Sequence, residues 1–453
     1  MDGKKPALVV TTIGSFLVPF MGSSVNIALP TIGKEFAMDA VLLGWVTTSF
    51  LMAATIFLVP LGKIADIYGR KKIFLLGFIL YTVSSLFCAI SPSPLFLISF
   101  RVLNGIGASM TFSPGVAILM SIYPPRERGK VLGINVAAVY SGLSCGPFLG
   151  GLLTQYFGWR SIFLLNVPLG LFIILLTLWK LKGEWIEATD EKCDVMGSLL
   201  FSFTLVTVMY GLSQLRRIEG FFLVLLGAAG VFLFVKWETK AASPVLNIDL
   251  FKENKVFAFS NLAALINYSA TFAVGFLMSL YLQFIKGLHP QEAGVILVSQ
   301  PIMQAIFSPL AGRLSDRIEP RLVASIGMGI TALGLFLLTF LDQNTTIPFI
   351  MGSLILLGLG FGLFSSPNTN AVMGSVEQKF YGVAAGILGT MRATGMMFSM
   401  GMVMLILTIY MGPTQIMPSY YPLFTKSLKT AFIIFTALCV AGIFASLSRG
   451  KVR

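Results

Sequence analysis

Charged residues are scarce in this chain of 453 residues. Asp, Glu, Lys and Arg make up 11% of it, whereas 56% is hydrophobic and the mean hydropathy is +0.86. Soluble domains carry about a quarter of charged residues. A water-soluble globule could not bury this much apolar surface, so the composition predicts a protein whose main solvent is the lipid bilayer.

Histidine and cysteine are too few to build a reactive centre. His289 is the single histidine, and the four cysteines, Cys88, Cys145, Cys193 and Cys439, stand far apart without a C-x-x-C spacing. The sequence therefore has too few of these residues for a histidine-based metal site, a Ser-His pair or a disulfide framework. We expect neither an enzyme nor a bound metal or cofactor. The sequence is compatible with a proton gradient as an energy source.

Positive charge is in excess, with a net charge of +13. A basic chain suggests a nucleic-acid partner, but the Lys and Arg residues form no stripe and no run longer than Arg70-Lys71-Lys72. They lie in short turns between apolar runs, where positive charge fixes the orientation of membrane helices. We expect contact with membrane lipid and no nucleic-acid partner.

Long apolar runs follow one another along the chain, and a spanning helix needs about 20 such residues. Most of the 32 Lys and Arg residues fall on the side of the two termini, which predicts that both termini are cytoplasmic. We expect a multi-pass protein of a prokaryotic cell membrane, with a retained first helix. The fourteen predicted spans are 7–30, 41–61, 72–91, 95–122, 130–156, 160–180, 197–214, 220–236, 257–285, 292–311, 321–341, 347–375, 381–411 and 429–448.

Two polar stretches, 183–194 and 238–255, divide the spans into groups of six, two and six. The predicted organisation is an N-terminal six-helix bundle at 1–182, a linker with two extra transmembrane helices at 183–255, and a C-terminal six-helix bundle at 256–453. The fold class is therefore an all-α integral membrane protein.

A charged turn rich in glycine, Gly62 to Lys72, separates the second and third spans. A weaker copy begins 250 positions later with Gly312-Arg313-Leu314-Ser315-Asp316-Arg317. Charges are expensive in hydrocarbon and cluster where a helix leaves the bilayer. One such hairpin in each half is typical of a duplicated membrane transporter.

Five sequence motifs follow one another along the chain. They are Asn26-Ile27-Ala28-Leu29-Pro30, the Gly62 turn, Arg101 to Ala108, Gly142 to Gly151, and Gly158 to Gly170. One glycine motif alone is weak evidence, but five at the expected helices are specific. Together they resemble the major facilitator superfamily, in its fourteen-helix branch of EmrB/QacA-type drug:proton antiporters.

The resemblance implies roles for two of these motifs. It assigns a conformational latch between the two halves to Gly62, Asp66, Gly69 and Arg70, although a solvated positive-inside loop is the plainer interpretation. Arg101 is implied in proton coupling, and its alternative is an arginine that snorkels or ties helices together. The C-terminal copy of the turn has Glu319-Pro320 in place of Gly69-Arg70, which predicts a weaker latch or a plain loop.

The glycine motif of the fifth span has a packing mechanism. Small residues at four-residue spacing let helix backbones touch, and a proline loosens the helix locally. In the family this contact seals one side during alternating access, and ordinary packing without gating is the alternative. The residues concerned are Gly142, Gly146, Pro147, Gly150 and Gly151.

The first span departs from the family pattern. Many relatives carry an aspartate before Val-Asn-x-Ala-Leu-Pro, and Met21 occupies its place here. Since no Asp or Glu falls well inside a predicted span, no midplane carboxylate is available for a permanent cation. This favours neutral, amphipathic or anionic substrates, with Arg101 and Arg392 as possible partners of an anion.

Polar residues and arginine within the predicted spans are the candidates for a substrate cavity, and 39 Phe and 21 Met suit an adaptable apolar pocket or lipid contact. The candidates are Met21, Asn26, Asn104, Asn135, Tyr140, Asn267, Tyr268, Gln283, Gln304 and Arg392.

The predicted function is secondary transport, the export of amphipathic small molecules by proton antiport with alternating access, carried out by a monomer. Three alternatives stay open. They are a translocator of lipid or lysolipid, a proton-independent facilitator of a neutral or anionic solute, and a membrane sensor without transport.

Overall fold

The computed structural model describes residues 4–186, 194–241, 244, 248–377 and 381–450, and this part of the chain is helical throughout, without a strand. Fourteen of its helices are long and apolar enough to cross a membrane. They are α1 (Lys4–Glu35), α2 (Ala40–Tyr68), α3 (Arg70–Ala89), α4 (Pro94–Ile122), α5 (Pro125–Phe157), α6 (Arg160–Lys180), α7 (Val195–Ser213), α8 (Ile218–Glu238), α9 (Lys255–Ile285), α10 (Pro290–Ser315), α11 (Pro320–Leu338), α12 (Ile347–Gly374), α13 (Tyr381–Tyr410) and α14 (Tyr421–Ser448).

The predicted fold class is confirmed: α1–α6 and α9–α14 form two six-helix bundles, and α7 and α8 are an inserted pair. Part of the predicted linker, residues 187–193 with Cys193, lies outside the described ranges. The far end of the molecule is defined here as the end where α1 stops and α2 begins. The termini end is the opposite one, where α1 begins and α14 stops.

Two boundaries differ from the sequence-based expectation. The charged stretch that begins at Gly62 is not a turn of about ten residues, because α2 stays helical through Tyr68 and α3 begins at Arg70. Gly69 alone makes the turn, at φ +114°, a value that favours glycine. The last helix starts at Tyr421 rather than near 429, so Lys426 lies within its first turns.

Equivalent close contacts recur in the two bundles. A Cβ on Gly105 of α4 would lie 2.3 Å from the carbonyl oxygen of Phe50 on α2, and a Cβ on Gly358 of α12 would lie 2.1 Å from that of Gln300 on α10. Phe50 and Gln300 are 250 positions apart, which is also the spacing of Gly62 and Gly312. The same backbone-to-backbone crossing is therefore built twice, as an internal duplication requires.

The inserted pair packs across both bundles through α7. The ring of Tyr210 lies 6.1 Å from that of Trp45 on α2. On the side of α13, Thr408 Oγ1 donates to the carbonyl oxygen of Ser213 at 3.3 Å, and Met209 contacts Gly401. The pair therefore covers the junction of α2 and α13.

Hydrogen bonds join the two bundles at the far end. Ser279 Oγ on α9 donates to the carbonyl oxygen of Asn26 on α1 at 2.6 Å. The end of α9 is a π-helical turn, Tyr281–Ile285, which carries Gln283, and its Nε2 donates to the carbonyl oxygen of Ile27 at 2.9 Å. The bundles are thus closed upon each other at this end.

The glycine crossings give a stability prediction. Gly105→Ala and Gly358→Ala each force a methyl group into a backbone carbonyl, so each should destabilise the protein by about 1–3 kcal/mol. Thermal melting in detergent, followed by size-exclusion chromatography, should show a loss of several degrees. Gly352→Ala on α12 is the control, since nothing lies within 4 Å of its Cβ position, and an equal loss there would contradict the packing argument.

Candidate functional site

The latch predicted at the α2–α3 turn is an ion pair backed by α4. Arg70 Nε donates to Asp66 Oδ1 at 2.7 Å, and Arg70 Nη1 donates to Ser121 Oγ at 2.5 Å. Arg70 is buried, while the Asp66 carboxylate is about one third exposed. The pair ties the termini-end tips of α2, α3 and α4 together within the N-terminal bundle.

A segment of the linker docks on the same turn, a contact for which the linker carries no local sequence signal. The Glu184 carboxylate accepts from the backbone N–H of Lys71 at 2.7 Å and of Lys72 at 3.2 Å, and Arg70 N–H donates to the carbonyl oxygen of Trp185. Glu184 therefore caps the N-terminus of α3, where free N–H groups and the helix dipole favour an anion. The linker that leads to α7 is thereby attached to the predicted latch.

The C-terminal copy of this turn has a partly equivalent environment. A Cβ on Gly312 would meet Ser366 Oγ on α12, as a Cβ on Gly62 would meet Ser113 Oγ on α4. Asn370 Nδ2 donates to Ser315 Oγ at 2.8 Å in this region. The weaker latch expected there remains a prediction.

Arg449 is a buried cation that directly follows α14, although the charge distribution along the sequence counts it with the tail residues at the termini end. It is 1% exposed, and its Nη1 donates to Asn368 Oδ1 at 3.0 Å and to Ser260 Oγ at 3.3 Å. Burial lowers its pKa to about 10, an effect that the charge of Glu319 opposes. Nothing in the sequence around residue 449 points to Asn368, 81 positions away on another helix.

Arg101 lies inside the N-terminal bundle at 1% exposure, and its contacts are neutral. Nε donates to the carbonyl oxygen of Val46 at 3.1 Å and Nη1 to Asn104 Oδ1 at 3.0 Å. The guanidinium carbon lies 4.3 Å from the centre of the Phe50 ring, and Met21 Sδ lies 3.7 Å from Nη1. Nη2 has no hydrogen-bond partner among the described residues.

Met21 thus faces Arg101. Its sulfur also accepts from Tyr81 Oη at 3.2 Å, and its side chain is 1% exposed. Asn104 extends the same network, since Nδ2 lies within 3.0–3.2 Å of Tyr81 O, Ser84 Oγ and Ser85 Oγ. Met21 and Asn104, expected to line a cavity, belong here to the packed surroundings of Arg101.

The glycine motif of α5 uses two faces of the helix. On one face a Cβ on Gly142 would lie 2.3 Å from the carbonyl oxygen of Phe16, and Gly150 packs against Ser24, both on α1. Ser24 Oγ donates to the carbonyl oxygen of Gly146 at 3.0 Å. This face holds α5 against α1 inside the N-terminal bundle.

The other face of α5 meets the C-terminal bundle. A Cβ on Gly151 would lie 2.4 Å from the carbonyl oxygen of Pro290, and a Cβ on Gly294 would lie 2.2 Å from that of Pro147. These two reciprocal contacts join α5 to α10 near the far end. Gly151 and Pro147 are therefore the members of the motif that touch the opposite bundle.

A cluster of polar side chains around Arg392, here called the mid-depth cluster, lies between the bundles. Tyr140 Oη on α5 is 3.4 Å from Ser365 Oγ on α12. Arg392 Nη2 on α13 donates to Thr369 Oγ1 at 2.6 Å, and the guanidinium carbon lies 5.7 Å from the centre of the Tyr268 ring. The cluster joins both bundles and brings together three of the predicted cavity residues, Tyr140, Tyr268 and Arg392.

Other predicted cavity residues are dispersed. Asn26 accepts from Thr47 Oγ1 at 3.1 Å near the far end, and Asn135 accepts from Ser15 Oγ at 3.0 Å between α5 and α1. Gln304 is buried on α10 at 7% exposure. Asn267 is fully buried on α9, and neither of its amide atoms has a partner among the described residues.

Comparison with known proteins identifies the family. The family model described as Major Facilitator Superfamily matches residues 11–249 and 260–451. Riboflavin transporter RibZ of Clostridioides difficile (strain 630) is 29% identical over 86% of this chain and 86% of its own. Multidrug resistance protein Stp of Mycobacterium tuberculosis (strain CDC 1551 / Oshkosh) is 30% identical over 86% of this chain and 73% of its own.

A solved structure shares the fold. The inward-facing, unoccupied structure of a bacterial homolog to the human lysosomal transporter Spinster has a TM-score of 0.71 at 16% identity, and the match covers 98% of this chain and 97% of that one. The chain belongs to the Major Facilitator Superfamily. It is a multi-pass membrane transporter of that fold.

The neutral surroundings of Arg101 give a testable prediction. Met21→Asp places a carboxylate beside the guanidinium, whereas Met21→Asn adds a neutral group of the same shape. Hydrogen bonds to charged groups are worth about 1.5–3 kcal/mol, so the Asp variant should be more stable than the Asn variant by an amount of that order. Thermal melting at pH 7 measures the difference. An Asp variant that melts at or below the Asn variant would contradict this account of Arg101.

The cap on α3 gives a second prediction. Glu184→Ala removes the acceptor of two backbone N–H groups, so the amides of Lys71 and Lys72 should exchange with deuterium a few-fold faster. Hydrogen–deuterium exchange with mass spectrometry of the 69–75 peptide measures this rate. Lys182→Ala, two residues earlier in the linker, is the control. Unchanged exchange in Glu184→Ala would show that the linker does not cap this helix in solution.

Proposed function

We propose that the protein exports amphipathic small molecules by alternating access in exchange for protons, as a member of the fourteen-helix drug:proton antiporter branch. With both termini in the cytoplasm, the far end faces outward. The hydrogen bonds of Ser279 and Gln283 to α1 then close the outer side, which supports a state that is closed toward the outside. Export requires these contacts to break while the termini end closes.

The main support for the proposal is the mid-depth cluster, because polar side chains of both bundles meet there. Tyr140 belongs to one bundle, and Ser365, Tyr268 and Arg392 belong to the other. A molecule bound between them would contact both halves and so sense their relative movement. Two tyrosine rings and one guanidinium suit a flat amphipathic molecule with a polar edge.

The relatives support this substrate class. One is named as a riboflavin transporter and another as a multidrug resistance protein. Both names agree with substrates that combine aromatic surface with polar groups.

Proton exchange would use Asp66 as its carboxylate. Asp66 is partly exposed and paired with Arg70 at the turn that the family resemblance marks as a latch. Protonation of Asp66 removes the charge that holds Arg70, and this loosens the tips of α2, α3 and α4. Proton binding and the conformational change would then be linked at one place.

A proton-independent facilitator of neutral or anionic solutes is the second candidate, and the Met21–Arg101 contact favours it. A thioether carries no proton, so this contact cannot cycle between charged and neutral states as a carboxylate–arginine pair can. Arg101 then stays a fixed positive charge, which is compatible with moving an anion and unhelpful for exchanging a proton.

Transport by purified protein in liposomes separates the two candidates. The probes are riboflavin, ethidium and 8-anilinonaphthalene-1-sulfonate, which represent neutral, cationic and anionic amphipaths. We expect an imposed pH gradient to drive uptake of at least one probe, and trapped pyranine to report proton movement in the opposite direction. Asp66→Asn should reduce gradient-driven uptake while leaving exchange of labelled for unlabelled probe in place.

Each contrary result has a different meaning. Exchange of a probe without any response to the pH gradient would reject antiport in favour of the facilitator. No exchange of any probe beyond protein-free liposomes would reject transport of these amphipaths. Unchanged gradient-driven uptake in Asp66→Asn would reject the role of Asp66 alone.

A further inference from the structure

A cavity of about 320 Å³ opens at the far end between the two bundles, well away from the mid-depth cluster. Lys34 and Leu43 line it from the N-terminal bundle, and Phe284, Ile416 and Tyr421 from the C-terminal bundle. Its volume lies near the lower end of the range of small-molecule sites, about 300–1,000 Å³. A molecule with one or two rings fills such a space.

The charge in this cavity has one sign. Lys34 Nζ lies 5.7 Å from the centre of the Phe284 ring, and the lining residues include no carboxylate. The two acidic residues closest to Lys34 in the sequence have other partners. Glu35 accepts from Trp159 Nε1 at 2.7 Å and pairs with Arg160, and Asp39 caps α2 by accepting from Leu42 N–H.

Hydrogen bonds between the bundles join the two walls of the cavity. Gln415 Nε2 donates to the carbonyl oxygen of Ala37 at 2.8 Å, and Ala40 N–H donates to the carbonyl oxygen of Thr414 at 3.3 Å. Ala37 has φ +50°, the left-handed conformation that ends α1, and Met38 N–H donates to the carbonyl oxygen of Gly33 at 3.0 Å around it. Separation of the bundles would pull the two walls of the cavity apart.

We propose that this cavity binds an amphipathic organic anion and that its occupancy stabilises the closed far end. Lys34 holds the anionic group, and Phe284, Ile416 and Tyr421 pack against the apolar body. Because the walls come from both bundles, the ligand binds the closed state better than the open state and shifts the equilibrium toward it. The anion comes either from solution or from an anionic lipid, since both present the same chemistry.

Isothermal titration calorimetry of the full-length protein in phosphatidylcholine nanodiscs tests the site with naphthalene-2-sulfonate. We expect one saturable site, at least about tenfold weaker binding of the neutral naphthalene-2-methanol, and at least about tenfold weaker sulfonate binding by Lys34→Gln. Lys426→Gln is the matched control, because Lys426 also lies over an aromatic ring, that of Tyr410, but is not among the lining residues. It should bind like the unmodified protein.

The same titration in nanodiscs that contain phosphatidylglycerol identifies the source. Loss of sulfonate binding there supports a lipid occupant, and retained binding supports a soluble one. No saturable binding, equal affinity for the neutral analogue, or equal affinity of Lys34→Gln would overturn the proposal. Empty nanodiscs provide the background of membrane partition.

The proposed stabilisation of the closed far end is measured separately. The amide of Ala40 donates across the interface between the bundles, so saturating naphthalene-2-sulfonate should slow its deuterium exchange in the unmodified protein and not in Lys34→Gln. Unchanged exchange at saturation would reject stabilisation of the closed end. Neither measurement involves transport, so failure of the export proposal and failure of this one are distinguishable.

Discussion

The structure depends on helices that approach until their backbones touch. Lipid is as apolar as the side chains facing it, so helix association relies on close packing and on interhelical hydrogen bonds. Glycine supplies the space at the crossings of α2 with α4, of α10 with α12 and of α1 with α5, where any Cβ would meet a carbonyl group. Because the crossing of α2 with α4 recurs between α10 and α12, the same mode of helix packing occurs in both bundles.

The same constraint shapes the interface between the two bundles. Gly151 and Gly294 bring α5 and α10 together by reciprocal contacts with Pro290 and Pro147. The carbonyl oxygens there lie beside prolines, which offer no N–H for hydrogen bonds between helices. The contact between the bundles is therefore close at that point, and beside it Gln291 N–H on α10 donates to Gln155 Oε1 on α5 at 3.2 Å. Inside the N-terminal bundle, Ser24 Oγ donates directly to the backbone of α5.

Much of the fold could be predicted from the sequence, because hydrocarbon imposes a length and a composition on every spanning helix. The errors arose where a charge was taken as the end of a span. Asp66 and Lys426 lie within helices, since a helix can project from the membrane edge without unwinding. Arg449 looked like a tail residue because its neighbours are charged, yet it is buried against Asn368 and Ser260.

The candidate site was less predictable, since polar residues in a spanning helix do not reveal which side they face. Tyr140, Tyr268 and Arg392 do come together, whereas Asn104 and Met21 surround Arg101 and Asn135 lies between α1 and α5. Contacts that depend on distant pairs, such as Glu184 with α3 and Gln415 with Ala37, left no local pattern to recognise. In a chain of 453 residues, the topology of the fold decides which distant residues come into contact. In a single sequence, only internal repeats give information on that topology.

The two intramembrane arginines have different surroundings, and this difference bears on how the transporter is energised. Arg101 is enclosed by Met21, Phe50 and amide groups, and Arg392 lies half-buried beside Tyr268 at the interface between the bundles. The groups that enclose Arg101 are uncharged, so the guanidinium acts as a fixed positive charge. Under the alternating access proposed above, a half-buried charge at the interface between the bundles can gain or lose a ligand. The proposed substrate contact therefore fits Arg392 better than Arg101, and the proposed proton-linked step fits the termini end, where Asp66 pairs with Arg70.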